Sequence, residues 1–173
     1  MRVTGVIRHR KANVAFSLWS DEKLKTKDFP LSKKRGKGYP LTRRWRWQII
    51  TFTAQGRNYR VLVAYHALVP EFIVTLGEEV GGDCRVLARW EFHANHGGWH
   101  VHTVCGDTDS LSVGIVKPAG TRRIPESRSY HRHMKMLKDG HAMSEEVATA
   151  IACSLVGMEH QHDIFAKDAM PWA

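Results

Sequence analysis

The sequence predicts an α+β fold: a single domain with a mainly antiparallel β-sheet covered by C-terminal helices. Three observations lead there. Apolar runs rich in β-branched and aromatic residues are separated by turn residues through most of the chain. The clearest helical pattern comes only near the end, at residues 144–157. Strands followed by helices, rather than alternating with them, favour an antiparallel sheet. The 173 residues suit one domain spanning 1–173, long enough to bury a core without disulfides or a structural metal.

In chain order, "VTGVIRH" and "NVAFSLW" read as two strands. Residues 20–44 are biased towards basic residues, and Pro30, Gly36, Gly38 and Pro40 mark irregular backbone, so this segment is expected to project or be mobile. "WQIITFT" and "YRVLVAYHALV" flank "AQGRN", whose turn chemistry predicts a hairpin. "PEFIVTLGEEVGGD" fits either a short helix opened by Pro70 or a strand over Phe72–Thr75. "CRVLARWEFHA" and "WHVHTVC" read as strands around "NHGG". "DTDS" turns the chain, "LSVGIV" reads as a further strand, and "KPAGTRRIPES" reads as loop. A basic helix is expected from Ser127 to Leu137. The last helix has Ser144 as N-cap, Glu145 and Glu146 in its first turn and Gly157 at its end. Val147, Ala148, Ile151, Ala152, Leu155 and Val156 form its apolar face.

Charge and cysteine usage narrow the function. The formal net charge of +9 favours polyanionic partners, nucleic acid before an acidic membrane surface. Ten of the 26 Lys and Arg residues lie between Lys23 and Arg46, opposed in that span only by Asp28. Lys33, Lys34, Arg35, Lys37, Arg43, Arg44 and Arg46 are candidate phosphate contacts, and Trp45 and Trp47 are candidate stacking platforms. A solvated loop that keeps the protein soluble is the plainer reading of the same charges. No apolar run suggests a signal peptide or a spanning helix. Three cysteines at unpatterned spacings suit a reducing cytoplasm rather than a disulfide framework.

The segment "EFHANHGGWHVHTVCGD" places His93, His96, His100 and His102 within ten positions. With Asn95–Gly98 as a four-residue loop, Ala94 pairs with Trp99. His93 then opposes His100, Phe92 opposes Val101, and Glu91 opposes His102. Opposed residues of an antiparallel pair share a face, and alternate residues along a strand do too. Glu91, His93, His100 and His102 therefore fall on one side, with Trp90, Phe92, Val101 and Thr103 on the other. Three imidazoles and a carboxylate at cross-strand spacing can coordinate one divalent ion. Mn or Mg is the leading expectation, with Zn, Ni, Co or Fe as further candidates. The competing interpretation is an ordinary polar sheet face, and a one-residue register slip would separate the four groups.

"WHVH" on a strand, paired with an upstream "EFH", resembles the HUH endonucleases, a superfamily of replication initiators, relaxases and single-strand transposases. "QIITFT" is similar to the short apolar strand with threonines found upstream in the initiators. The resemblance implies a His-hydrophobe-His strand central to an antiparallel sheet and a metal-dependent endonuclease nicking single-stranded DNA. It also implies a tyrosine that becomes covalently linked to the 5′ end. Tyr130, in "SRSYHRHMK", is the candidate nucleophile, although Lys135 follows it by five positions rather than the initiators' three. Tyr39 is the nearest equivalent of the N-terminal tyrosine of relaxases. Two alternatives stand beside this reading. One is a non-catalytic basic nucleic-acid-binding protein. The other is a cupin-like small-molecule metalloenzyme, because His100, His102, Asp107 and Gly114 resemble a first cupin motif.

Overall fold

The computed structural model describes residues 1–33, 39–93, 98–125 and 143–159. Seven strands form one antiparallel sheet in sequence order. They are β1 Ala12–Phe16, β2 Trp45–Ala54, β3 Arg57–His66, β4 Glu71–Val80, β5 Asp83–His93, β6 Gly98–Val104 and β7 Thr121–Pro125. Two α-helices are described, α1 Val3–Arg8 and α2 Glu145–Val156, with a 3-10 turn at Thr108–Ser110. The fold is thus α+β and mainly sheet. Among the described residues the sheet runs from β1 at one edge to β7 at the other, without the closure of the barrel that the cupin resemblance implies.

Turn chemistry explains the hairpins. Gln55 and Gly56 join β2 to β3 with φ of +50° and +71°. Gly81 and Gly82 join β4 to β5 with φ of +60° and +80°. Two successive positive-φ residues match the right-handed twist of the strands they connect. Residues 71–80, ambiguous from periodicity, form a strand paired on both sides. Their near-continuous apolar run reflects a strand covered on both faces, which erases the alternation that would have identified it.

Three expected elements differ. "VTGVIRH" forms α1 rather than a strand: Val3 and Val6, three residues apart, are buried in one cluster with Ala148, Ile151 and Leu155 of α2. Tertiary packing outweighs the β-preference of valine there. "LSVGIV" forms no strand, and "KPAGTRRIPES" supplies β7, which pairs with the outer side of β6. The helix expected at 127–137 lies outside the described residues. One of the two described helices therefore precedes the sheet, so C-terminal helices alone do not account for the helical layer.

The helical face of the sheet carries Ile50, Phe52, Tyr59, Val61, Val63, Phe72, Val74, Trp90, Phe92, Trp99 and Val101, clustered with α1 and α2. α2 starts as its sequence predicts: the Ser144 side chain accepts from the Val147 N–H at 3.2 Å. Gly157 ends it in the left-handed region. The opposite face has a second cluster, in which Leu24, Phe29, Leu31 and Tyr39 bury against Trp47, Ile49, Leu62, Ala64, Ile73 and Val86. The described residues of the basic segment therefore lie on the sheet rather than projecting from it. Gly77 makes room for this, since a Cβ there would stand 2.9 Å from Phe29 Cζ.

An ionic network joins neighbouring ends of β3, β4 and β5 to the 3-10 turn. Arg57 and Arg85 both bind the buried Glu78 and the exposed Asp109. The hydrogen bond from Arg57 holds the Asp109 carboxyl down at about 2. A depressed carboxylate contributes stability above its unfolded pKa, and the contribution is lost as pH falls through the folded one. Asp109→Asn should therefore melt below the parent protein at pH 6. The gap should close between about pH 4 and about pH 2. Thermal melts across that range check this, and a gap independent of pH would exclude it.

Candidate metal centre

The histidine hairpin forms, in a register displaced by two positions from the expected one. Glu91 opposes His100, Arg89 opposes His102, Phe92 opposes Trp99 and His93 opposes Gly98. The connecting residues therefore begin one position earlier, at 94–97, outside the described residues. Burial of aromatics explains the choice. Trp99 packs beside Phe92 at 5.8 Å and edge-on to Phe72 at 5.5 Å, on the helical face. A two-position shift preserves sides, because side chains alternate with period two. Glu91, His93, His100 and His102 accordingly share the non-helical face, as the alternation predicts.

The four groups do not converge equally. Glu91 Oε2 lies 3.1 Å from His100 Nε2 and 3.3 Å from His102 Nε2. One ligand atom from each of Glu91, His100 and His102 lies within 4.8 Å of the others. With ligands at about 2.1 Å from a metal, neighbouring donors stand about 3.0 Å apart in an octahedron and about 3.4 Å apart in a tetrahedron, so both separations fit coordination of one ion. His93 stands at the flank. Its Nε2 is 4.0 Å from the other Glu91 oxygen, and its Nδ1 is 3.7 Å from Glu71. The set is thus two imidazoles and a carboxylate from adjacent strands, a donor set suited to Mn, Fe, Co, Ni or Zn.

Arg89 is the residue that sequence reading missed. Its side chain is 7% exposed and donates from Nη2 to Glu91 Oε1 at 2.9 Å. Arg89, Glu91 and His93 are successive alternate residues, so the parity that grouped the ligands could have found it. Burial pushes the Glu91 carboxyl up, but Arg89 first and then the three imidazoles outweigh it, and the net direction is down. Burial lowers His102, and Arg89, His100 and Lys117 add to this against the opposing pull of Glu91. An ionised carboxylate and a neutral imidazole are the forms that ligate. Arg89 Nε is buried with no hydrogen-bond partner among the described residues. Such an orphaned donor typically costs about 1–3 kcal/mol.

A cleft of about 540 Å³ opens beside this group, with Glu91 shared between the two. Lys33, Arg89 and Lys117 supply its cations, and Pro40, Ile73, Ile115 and Val116 supply apolar wall. Tyr39 also lines it. The Thr75 hydroxyl donates to the Tyr39 oxygen at 2.9 Å. Burial raises the Tyr39 phenol despite the nearby Arg89 guanidinium.

The other candidates scatter. Trp45 and Trp47 are each 8% exposed and belong to the core. Trp45 meets His66 edge-on, and the Trp47 indole donates to the Glu22 carbonyl. Neither offers an open ring face for stacking, because alternation along β2 turns both into the second cluster. Arg46, on the opposite parity, points to the helical side and pairs with Glu145 at the start of α2. Arg43 and Arg44 are exposed, as is Lys33. Lys34, Arg35, Lys37 and Tyr130 lie outside the described residues. β6 is the sixth of seven strands rather than the central one that the HUH resemblance implies. No described helix is long and apolar enough to cross a membrane. No protein-family model, curated protein or solved structure matches the chain.

Proposed function

We propose that this protein is a divalent-metal-dependent endonuclease of the HUH type that nicks single-stranded DNA. The observation that carries the reading is the convergence of Glu91, His100 and His102 beside a cleft lined by Arg89, Lys33 and Lys117. A bound divalent ion, Mn in the first instance since the imidazoles suit it better than Mg, would neutralise and polarise the scissile phosphate. Glu91, His100 and His102 would hold it. Arg89 keeps Glu91 ionised and oriented, while the two lysines draw the phosphate in.

Tyr130 remains the candidate nucleophile by elimination among the four tyrosines. Tyr59 and Tyr65 belong to the helical face, across the sheet from the ligands. Tyr39 is buried, hydrogen-bonded and raised in pKa, all of which oppose phenolate attack. A reducing cytoplasm suits the free thiols of Cys84, Cys105 and Cys153.

The test is Mn-dependent nicking of single-stranded DNA by untagged protein. Mutating groups that merely support metal ligands typically costs ~10–100-fold, so losing a ligand should cost at least ~100-fold. His102, a fifth exposed, is the safer variant. His102→Ala should abolish nicking and bound Mn while the metal-free protein melts normally. Tyr130→Phe should remove covalent DNA linkage, and Tyr39→Phe should retain it. Nicking that persists in chelator would overturn the reading. Salt-sensitive DNA binding without any cleavage would leave the non-catalytic basic binder in its place.

A further inference from the structure

We propose that the cleft beside the three ligands binds a single nucleotide unit, its phosphate on Lys33, Lys117 and Arg89 and its base against Ile73, Ile115 and Val116. This deepens the endonuclease reading, on which it rests, by naming the part of the substrate the protein grips next to the bond it would cut. Three features support it. The volume of about 540 Å³ falls within the ~300–1,000 Å³ of small-molecule sites and is far too small for a duplex. The lining combines three cations and Glu91 with four apolar residues, Pro40, Ile73, Ile115 and Val116. Glu91 is already matched by Arg89, so Lys33 and Lys117 leave an excess of two positive charges. That excess attracts a phosphate, whether the singly charged diester of a strand or the nearly doubly charged monoester of a free nucleotide.

Arg89 adds an unfilled donor. Its guanidinium is more than nine-tenths buried and lines the cleft, and its Nε has no partner among the described residues. The guanidinium as a whole, which lines the cleft, offers a cation suited to a phosphate oxygen. The aliphatic side chains of Ile115 and Val116 are half-buried and present apolar surface to a planar base.

Calorimetric titration of the full chain with AMP, in chelator and at low salt, tests the proposal separately from the metal chemistry. AMP should bind at least about tenfold more tightly than either adenosine or inorganic phosphate, since each supplies half of the contacts. Lys117→Ala and Lys33→Ala, both at exposed positions, should each weaken AMP about five- to tenfold, with unchanged melting. Ile115→Ser should weaken AMP but not inorganic phosphate. His102→Ala should leave AMP binding in chelator intact while abolishing nicking. Equal affinity for AMP and phosphate, or indifference to both lysine substitutions, would overturn the nucleotide site while leaving metal-dependent nicking standing. AMP binding with metal-independent nicking would do the reverse.

Discussion

Replacing Glu91 with alanine is expected to destabilise the metal-free protein by about 3–5 kcal/mol, the usual cost of stranding one partner of a buried ion pair. Arg89 and Glu91 are 6% and 7% exposed, so water cannot take over the lost carboxylate. Both imidazoles near Glu91 Oε2 would also lose a neighbour at 3.1 and 3.3 Å. Urea unfolding in chelator measures the loss apart from any metal effect. A second substitution, Arg89→Met, should recover part of it by removing the stranded charge, giving a coupling of at least about 1 kcal/mol in the double-mutant cycle. The pH dependence has a definite sign. The Glu91 carboxyl is lowered on folding, so its contribution is complete above the ordinary carboxylate range and disappears on acidification below it. A loss under about 1 kcal/mol for Glu91→Ala would show that the pair is solvated, and the buried centre described above would be wrong.

Gly157→Ala should be nearly as damaging, for a backbone reason. Gly157 closes α2 at φ +68°, ψ +41°, with its N–H donating to the carbonyl of Ser154. A side chain in the left-handed region costs about 1–2 kcal/mol by itself. Here a Cβ would also stand 2.1 Å from the Ile7 carbonyl oxygen in α1. Main-chain atoms cannot rotate away, so α1 and α2 would have to separate and open the cluster that contains Val3, Val6 and Leu155. A total loss of about 3 kcal/mol or more follows, in the range reserved for strain combined with core disruption. Thermal or urea unfolding checks it. Gly56→Ala is the control, because no atom lies within 4 Å of its Cβ position and it shares the positive φ. Gly56→Ala should therefore show the conformational cost alone. Equal losses at the two positions would mean that the helix contact contributes nothing.

The legible parts of this chain were those governed by local chemistry. Gln55-Gly56 announced a turn because few residues adopt positive φ. Ser144 and Gly157 bounded α2 because helix ends leave unpaired backbone groups that only some residues satisfy. α1 was misread because six residues with two valines carry a strand's propensity, and only packing against α2 makes them helical. The expectation that residues 20–44 project failed in their described part for the same reason. Leu24, Phe29, Leu31 and Tyr39 are too widely spaced to form a periodic stripe, yet one sheet face collects all four.

The sequence by itself determined that Glu91 and His93 share one side of β5 and that His100 and His102 share one side of β6. Alternation along an extended strand sets this, and the two pairs meet on one face because the pairing is displaced from the expected one by an even number of positions. Tertiary structure alone decided that Glu91, His100 and His102 meet, that His93 turns to Glu71, and that Arg89 completes the group. Those outcomes depend on which residues face each other across strands, and the aromatic packing of Trp99 against Phe92 and Phe72 on the far side of the sheet selected that register.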